Sequence, residues 1–386
     1  MNSTGNITRA VFPQLENSTI ANFSSSSVSS YLSSSLTTVT VKPMTETTEP
    51  TIDYDYAAGI EPCSYPNHSA TFLPVLYSLY FLMGMLGNAL VVWVITKGVR
   101  LRSMTDVCLF NLSLADLLLV GSLPFLAHQA QDQWVFGDGM CKLVLGVYYV
   151  SYYGGIYFIT LMGVDRYLAV VHAVYALRVR TRTYGILASI VVWVVAILSS
   201  FPEVLYLKMS NTNASALNAC IRDEEKHDDR ATAYFKMNVL GFVIPLAILL
   251  FCYTRILLTL LRSRSGKRQA VRLVVVVMVA FLCCWAPYNV TLFFWGLHNK
   301  GFFSDCESSK SLFLSLQITE VIAYTHCCLN PVLYVFVGEK FRRHLFKLLS
   351  KSPCVRSDFL KAYLTAASTG SVYSRTTSME ERSTAM

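Results

Sequence analysis

The chain has 386 residues, of which 53% are hydrophobic and only 15% charged, with a formal net charge of +8. Soluble proteins carry about 25% charged residues, so the composition excludes an ordinary water-soluble globular enzyme. The net charge also hides a split: the first seventy residues hold two basic side chains (Arg9, Lys42) and six acidic ones (Glu16, Glu46, Glu49, Asp53, Asp55, Glu61), a local balance of −4.

Residues 1–70 read as a tail. Its stretch 18–51 is rich in Ser, Thr and small polar residues and cannot build a core. Acceptor triplets for N-glycosylation begin at Asn2, Asn6, Asn17, Asn22 and Asn67, with another at Asn213. Tyr54 and Tyr56 stand among carboxylates in Asp53-Tyr54-Asp55-Tyr56, a setting that favours tyrosine sulfation. The first ten residues are too polar for a signal peptide, so the first apolar span is expected to act as an uncleaved signal.

Seven apolar windows follow, at about 71–95, 106–130, 141–171, 184–205, 233–261, 271–296 and 311–337. A helix needs about 20 apolar residues to cross a bilayer, and every backbone polar group inside it must be bonded internally. The expected fold is an all-α membrane protein, a seven-helix bundle over 71–337. Phe341-Arg342-Arg343-His344-Leu345-Phe346 then alternates apolar and basic groups at helical spacing. This predicts a short interfacial helix over 338–350. A Ser/Thr-rich tail, 351–386, closes the chain.

Orientation follows from the links. Those after the first, third and fifth windows carry Lys97, Arg100 and Arg102; Arg178, Arg180 and Arg182; and Arg262, Arg264, Lys267 and Arg268. The link after the fourth carries Asp223, Glu224, Glu225, Asp228 and Asp229. Lys and Arg stay cytoplasmic, which predicts an extracellular N-terminus. Sorted by side, the outside holds 10 basic and 16 acidic residues (−6) and the inside 22 basic and 6 acidic (+16), while Asp116 and Glu320 lie within spans. A positive face turned to anionic lipid, not to nucleic acid, accounts for the net charge.

Of eleven cysteines, four fall in outer positions: Cys63, Cys141, Cys220 and Cys306. The exterior is oxidising, and four cysteines allow three connectivities. Cys141–Cys220 would tie a loop over the helix ends, and Cys63–Cys306 would pin the tail near the seventh span. The adjacent pairs Cys283–Cys284 and Cys327–Cys328 lack metal-site spacing, and no metal or cofactor is expected. Cys354 follows the basic helix and is a candidate for palmitoylation.

Ionisable groups inside a membrane are costly and usually functional. Asp116 lies mid-span, where it needs partners such as Asn88 or Asn330. Glu320 has no basic neighbour in its own helix and is a candidate ligand-facing carboxylate. Asp165-Arg166-Tyr167 closes the third span, where Asp165 could hold Arg166 by charge-assisted bonds. Prolines interrupt spans at Pro124, Pro245, Pro287 and Pro331, each removing a backbone bond.

Taken together, these residues resemble the rhodopsin-like, class A family of G-protein-coupled receptors over about residues 60–350. The landmarks are Gly87-Asn88, Leu114-Ala115-Asp116, Asp165-Arg166-Tyr167, Trp193, Pro245 with Tyr253, Cys284-Trp285-Ala286-Pro287, and Asn330-Pro331 through Tyr334. A closer resemblance is to chemokine receptors of the CC type. It is carried by the run from Asp165 to Ala173, by Gln133-Trp134-Val135-Phe136-Gly137 before Cys141, by Ser122-Leu123-Pro124-Phe125, and by Thr325-His326-Cys327-Cys328-Leu329-Asn330-Pro331.

The resemblance implies a receptor, not an enzyme, for a small basic secreted chemokine. It implies coupling to the inhibitory class of G protein, calcium mobilisation and directed cell migration. Candidate ligand contacts are Tyr54 and Tyr56 in the tail, Glu320 for an amine, and Tyr77, Trp134, Tyr148, Tyr149 and Tyr288 as aromatic walls. The expected switch comprises Asp116, Asp165, Arg166, Tyr167, Tyr253, Trp285, Pro287, Asn330, Pro331 and Tyr334. The nine Ser and Thr residues from Ser368 to Thr384 would serve receptor kinases and arrestin. A scavenging receptor that takes up chemokine without signalling is the alternative; its mark, a damaged Asp-Arg-Tyr segment, is absent.

Overall fold

The computed structural model describes residues 69–99, 101–212, 217–222, 230–262, 268–303, 305–337 and 339–349. Tyr54, Tyr56, Cys63, the five tail glycosylation sites, Asn213, Cys354 and the Ser/Thr tail lie outside the described residues.

Helix α1 (Ser69–Val94) runs into a π-helical turn (Ile95–Val99). It is followed by α2 (Met104–Gln131), α3 (Gly137–Val171), the short α4 (Ala173–Val179) and α5 (Arg182–Leu205). Strands β1 (Leu207–Thr212) and β2 (Leu217–Arg222) form an antiparallel hairpin. Helix α6 (Arg230–Asn238) passes through a second π-helical turn (Val239–Val243) into α7 (Ile244–Arg262), and α8 (Arg268–His298), α9 (Cys306–Val337) and α10 (Glu339–Leu349) complete the chain. Among the described residues, seven helical segments are long and apolar enough to cross a membrane. They close a ring: α1 packs on α2 and α9, α3 packs on α2, α5 and α7, and α8 packs on α6 and α9. Large apolar side chains such as Leu86, Val191, Leu198 and Phe251 point outward, a surface suited to lipid and costly in water.

The helices start earlier than the apolar windows because their first turns are polar. Ser103 caps α2: its side chain accepts from Asp106 N–H (3.3 Å), while the Asp106 carboxylate accepts from Ser103 N–H (2.9 Å). This reciprocal capping box satisfies two otherwise orphaned donors. At α9, the Asp305 carboxylate accepts from Ser308 N–H (2.8 Å), so the helix begins at Cys306, not at 311. That bond holds the Asp305 carboxyl below its ordinary value. Pro245 is the second residue of α7, directly after the π-helical turn, and Pro74 and Pro202 lie in α1 and α5 besides the four prolines singled out from sequence.

The hairpin was not expected from sequence. It is strapped to the start of α3 by the Cys141–Cys220 disulfide. Three side chains add hydrogen bonds: Gln129 Oε1 accepts from Cys220 N–H (3.0 Å), Gln133 Oε1 from Asn218 N–H (3.3 Å) and Asp138 Oδ1 from Met209 N–H (2.9 Å). Cys306 is also disulfide-bonded. At the other end, α10 turns its Phe341 and Leu345, one helical turn apart, onto Val91, Val94 and Ile95. Gly98 makes this approach feasible, because a Cβ there would sit 3.1 Å from the Cβ of His344.

The contact of α5 with the start of α2 is tighter still. A Cβ on Gly185 would lie 2.9 Å from the Met104 Cα, a backbone atom that cannot rotate away, and 3.3 Å from the Val107 Cβ. Overpacking a tight contact costs about 1–3 kcal/mol. Gly185→Ala is therefore expected to lower the thermal unfolding midpoint of the detergent-purified protein. An unchanged midpoint would show that the two helices can separate at no cost.

Candidate functional site

The first cluster lies in the Cys306 half of α9. Glu320 is buried, at 1% exposure. Tyr324, one helical turn on, donates its hydroxyl to Glu320 Oε1 (2.5 Å), and its oxygen also lies 2.9 Å from the Tyr148 hydroxyl of α3. The rings of Tyr77 and Tyr148 pack edge-on to Tyr324 at 5.8 and 6.2 Å, and Tyr149 packs on Tyr148 at 5.6 Å. Glu320 Oε2, Tyr77 Oη, Tyr288 Oη and Gln317 Nε2 are buried without a hydrogen-bond partner. Leaving a buried polar group unpaired costs about 1–3 kcal/mol. The open Glu320 Oε2 and tyrosine hydroxyl oxygens, beside the aromatic faces, suit an incoming ammonium.

Trp134, an expected aromatic wall, is fully buried beside the hairpin. Its Nε1 donates to the Gly137 carbonyl (2.9 Å), its backbone N–H donates to Asn218 O of β2 (2.8 Å), and its ring packs on Phe136. It anchors the hairpin to the loop between α2 and α3.

A line of aromatic and polar contacts leads away from this cluster. Tyr288 packs on Tyr152 (6.5 Å between centroids), Tyr152 on Trp285 (5.3 Å) and Trp285 on His326 (4.6 Å). His326 Nε2 lies 3.6 Å from Asp116 Oδ1, and Asp116 Oδ2 accepts from Asn330 Nδ2 (2.8 Å). Of the two expected partners of Asp116, Asn330 takes the place; Asn88 instead donates to the Cys327 and Gly84 carbonyls (2.9 and 3.0 Å). Pro287 lies two residues beyond Trp285 in α8, and Pro331 packs against Gly87 of α1. Tyr334 has a buried hydroxyl without a partner and packs its ring on Phe341 of α10.

The third cluster corrects an expectation. Asp165 does not hold its neighbour Arg166. It is fully buried and binds Arg180 Nε (2.6 Å) and Nη2 (3.0 Å), while Thr105 Oγ1 of α2 donates to it (2.7 Å). Consecutive helical residues do not face each other, so Arg166 points elsewhere and is exposed. The Asp165 carboxylate holds the Arg180 guanidinium above its ordinary value. Tyr167 bonds His172 Nε2 through its hydroxyl (2.9 Å), and Tyr253 is buried on α7. Beside this cluster, α4 exposes Val174 and Leu177 at 83% and 84%.

Three participants were missed from sequence. Tyr324 was signalled by its spacing of four from Glu320, which puts both on one helix face. Arg180 and Thr105 carried no such signal, since α4 and α2 bring them to Asp165 across 15 and 60 residues. The pair of buried Glu203 with half-buried Lys236, joining α5 to α6, was also unforeseen.

Comparison with known proteins agrees with this geometry. Residues 87–334 match the family of 7 transmembrane receptors (rhodopsin family). The chain is 43% identical over 317 residues to C-C chemokine receptor type 1 of Homo sapiens, covering 81% of this chain and 89% of that protein. It is 44% identical over 299 residues to C-C chemokine receptor type 4 of Homo sapiens (76% and 83%). It is 43% identical over 285 residues to C-C chemokine receptor type 8 of Mus musculus (74% and 81%). With seven spans and these relatives, the chain is a multi-pass plasma-membrane receptor and not an enzyme. It belongs to the rhodopsin family of seven-transmembrane receptors and, within it, to the C-C chemokine receptors.

Proposed function

We propose that this receptor binds a small basic secreted chemokine of the CC type and signals through an inhibitory-class G protein to calcium mobilisation and chemotaxis. The observation that carries the reading is the buried Glu320–Tyr324–Tyr148 cluster with its open polar atoms. In this reading the N-terminus is extracellular. The acidic tail, with Tyr54 and Tyr56 sulfated and Asn2, Asn6, Asn17, Asn22 and Asn67 glycosylated, attracts the cationic ligand and raises its on-rate. Cys63–Cys306 holds that tail near the mouth. The ligand's amino terminus then meets Glu320.

Ligand contact must favour one of two bundle states to signal at all. The contact passes from Tyr288 through Tyr152 to Trp285 and the Pro287 kink, then through His326 to Asp116, Asn330 and Tyr334. Movement of α9 about Pro331 and of α7 with Tyr253 opens the basic end. Arg166, already clear of Asp165, meets the G protein there, and the exposed Val174 and Leu177 of α4 give it an apolar seat. Palmitoylated Cys354 and α10 lie on the lipid surface. Receptor kinases phosphorylate the Ser/Thr tail, and arrestin binds the resulting negative charge.

The test compares two readouts in transfected cells given CC chemokine: nucleotide exchange on the G protein and chemokine uptake. Exchange together with uptake is expected. Uptake with no exchange would make the protein a scavenger and overturn the signalling half of the proposal.

A further inference from the structure

A cleft of about 420 Å³ opens between the last turns of α8 and the first turns of α9, a volume in the range of small-ligand sites. Phe294 and Phe303 form its aromatic wall, with ring centroids 6.3 Å apart at 70°. Asp305, just before α9, and Glu307, in its first turn, supply two carboxylates, and Ser311 and Leu312 lie further along the helix. Among the described residues no basic side chain lines the cleft. His298 holds the turn that carries Phe303. Its Nδ1 lies 3.1 Å from the Phe303 carbonyl oxygen, which can only accept, so Nδ1 donates there and Nε2 accepts from the Ser309 hydroxyl (3.3 Å).

The cleft opens away from the Glu320 cluster. Phe313, Gln317 and Glu320 mark the buried face of α9, and Glu307 and Ser311 lie about 120° and 160° round the helix from Phe313. On α8 the buried face carries Tyr288, Leu292 and Trp295, while Phe293 and Phe294 are 42% and 40% exposed. Val290, one turn below Phe294, is exposed, as are Leu314 and Ile318 below Ser311 on the same face of α9. This is a lipid-facing groove with a polar head. Its chemistry is ordered along α9: carboxylates at Asp305 and Glu307, a hydroxyl at Ser311, then apolar side chains at Leu312, Leu314 and Ile318. A choline phospholipid has the complementary order of quaternary cation, phosphate and acyl chains.

We propose that this cleft seats the headgroup of a choline phospholipid from the surrounding leaflet and so braces α8 against α9. The trimethylammonium group packs on Phe294 and Phe303 and balances the charge of Asp305 and Glu307. A quaternary cation has no N–H to donate, and aromatic faces are its usual partners. A phosphate oxygen accepts from the Ser311 hydroxyl, and the acyl chains run over Val290, Leu314 and Ile318. A primary ammonium is more strongly hydrated and gains less from the two phenyl rings. A headgroup of net negative charge is repelled by the two carboxylates. The disulfide at Cys306, the first residue of α9, places this end of the bundle on the oxidising, outer side of the membrane, so the lipid comes from the outer leaflet. Its seating does not depend on which ligand the receptor takes.

The full-length receptor in detergent is equilibrated with phosphatidylcholine, phosphatidylethanolamine or phosphatidylglycerol of identical acyl chains, and bound lipid is counted by native mass spectrometry. Phosphatidylcholine is expected to bind most tightly. Phe303→Leu and Glu307→Gln should each weaken it about threefold or more, whereas Phe201→Leu, on an exposed face of α5, should leave it unchanged. Equal binding of the three lipids, unweakened phosphatidylcholine in either cleft variant, or an equal loss in Phe201→Leu overturns the site. Lowered chemokine affinity in the cleft variants with lipid selectivity intact would assign the cleft to the protein ligand and overturn it as well. Unfolding midpoints are checked first. If Phe303→Leu does not fold, Phe294→Leu takes its place and is read in the same way.

Discussion

Arg166→Ala is expected to abolish chemokine-stimulated nucleotide exchange on the G protein while leaving chemokine binding and surface expression intact. The separation of effects follows from where Asp165 spends its charge. Its carboxylate is satisfied by Arg180 and Thr105, so removing Arg166 leaves no buried anion unpaired. The exposed Arg166 guanidinium can meet a partner at the basic end of the bundle. A hydrogen bond to a charged group contributes about 1.5–3 kcal/mol, so losing one from the signalling complex lowers exchange at least about tenfold. Radioligand binding, flow cytometry and nucleotide exchange on one cell line check all three readouts. Intact exchange in the variant would remove Arg166 from the switch.

Glu320→Gln is expected to raise the chemokine concentration for half-maximal signalling about 30-fold or more, with little change in surface expression. The substitution keeps the shape and an acceptor for Tyr324 but removes the charge. Truncating one side of a buried, hydrogen-bonded charge pair costs about 2–5 kcal/mol, which sets that fold-change. The loss should be confined to ligands with a free amino terminus. A superimposable dose–response curve would sink Glu320 as the amine contact and leave it a packing group of the tyrosine cluster.

The two variants probe two separate clusters, and these were unequally legible in the sequence. Hydropathy alone marks seven spans, because in a membrane the apolar stretch is the structural unit. It misplaces their starts, since Ser103, Asp106 and Asp305 are polar and act as caps. Glu320 stands out because a lone carboxylate in an apolar run demands a reason, and Tyr324 follows from helical spacing. The partner of Asp165 was not legible: adjacency suggested Arg166, whereas a short helix and a chain reversal deliver Arg180. The bonds of Trp134 were not legible either: its N–H groups donate to Gly137 and Asn218, and the hairpin that supplies Asn218 is too short and too polar to announce itself.

Calcium flux in transfected cells challenged with a panel of purified CC chemokines tests the central claim most directly. At least one CC chemokine should evoke a dose-dependent rise that pertussis toxin removes and that untransfected cells lack. Silence across the whole CC panel from a receptor verified at the cell surface would contradict the account.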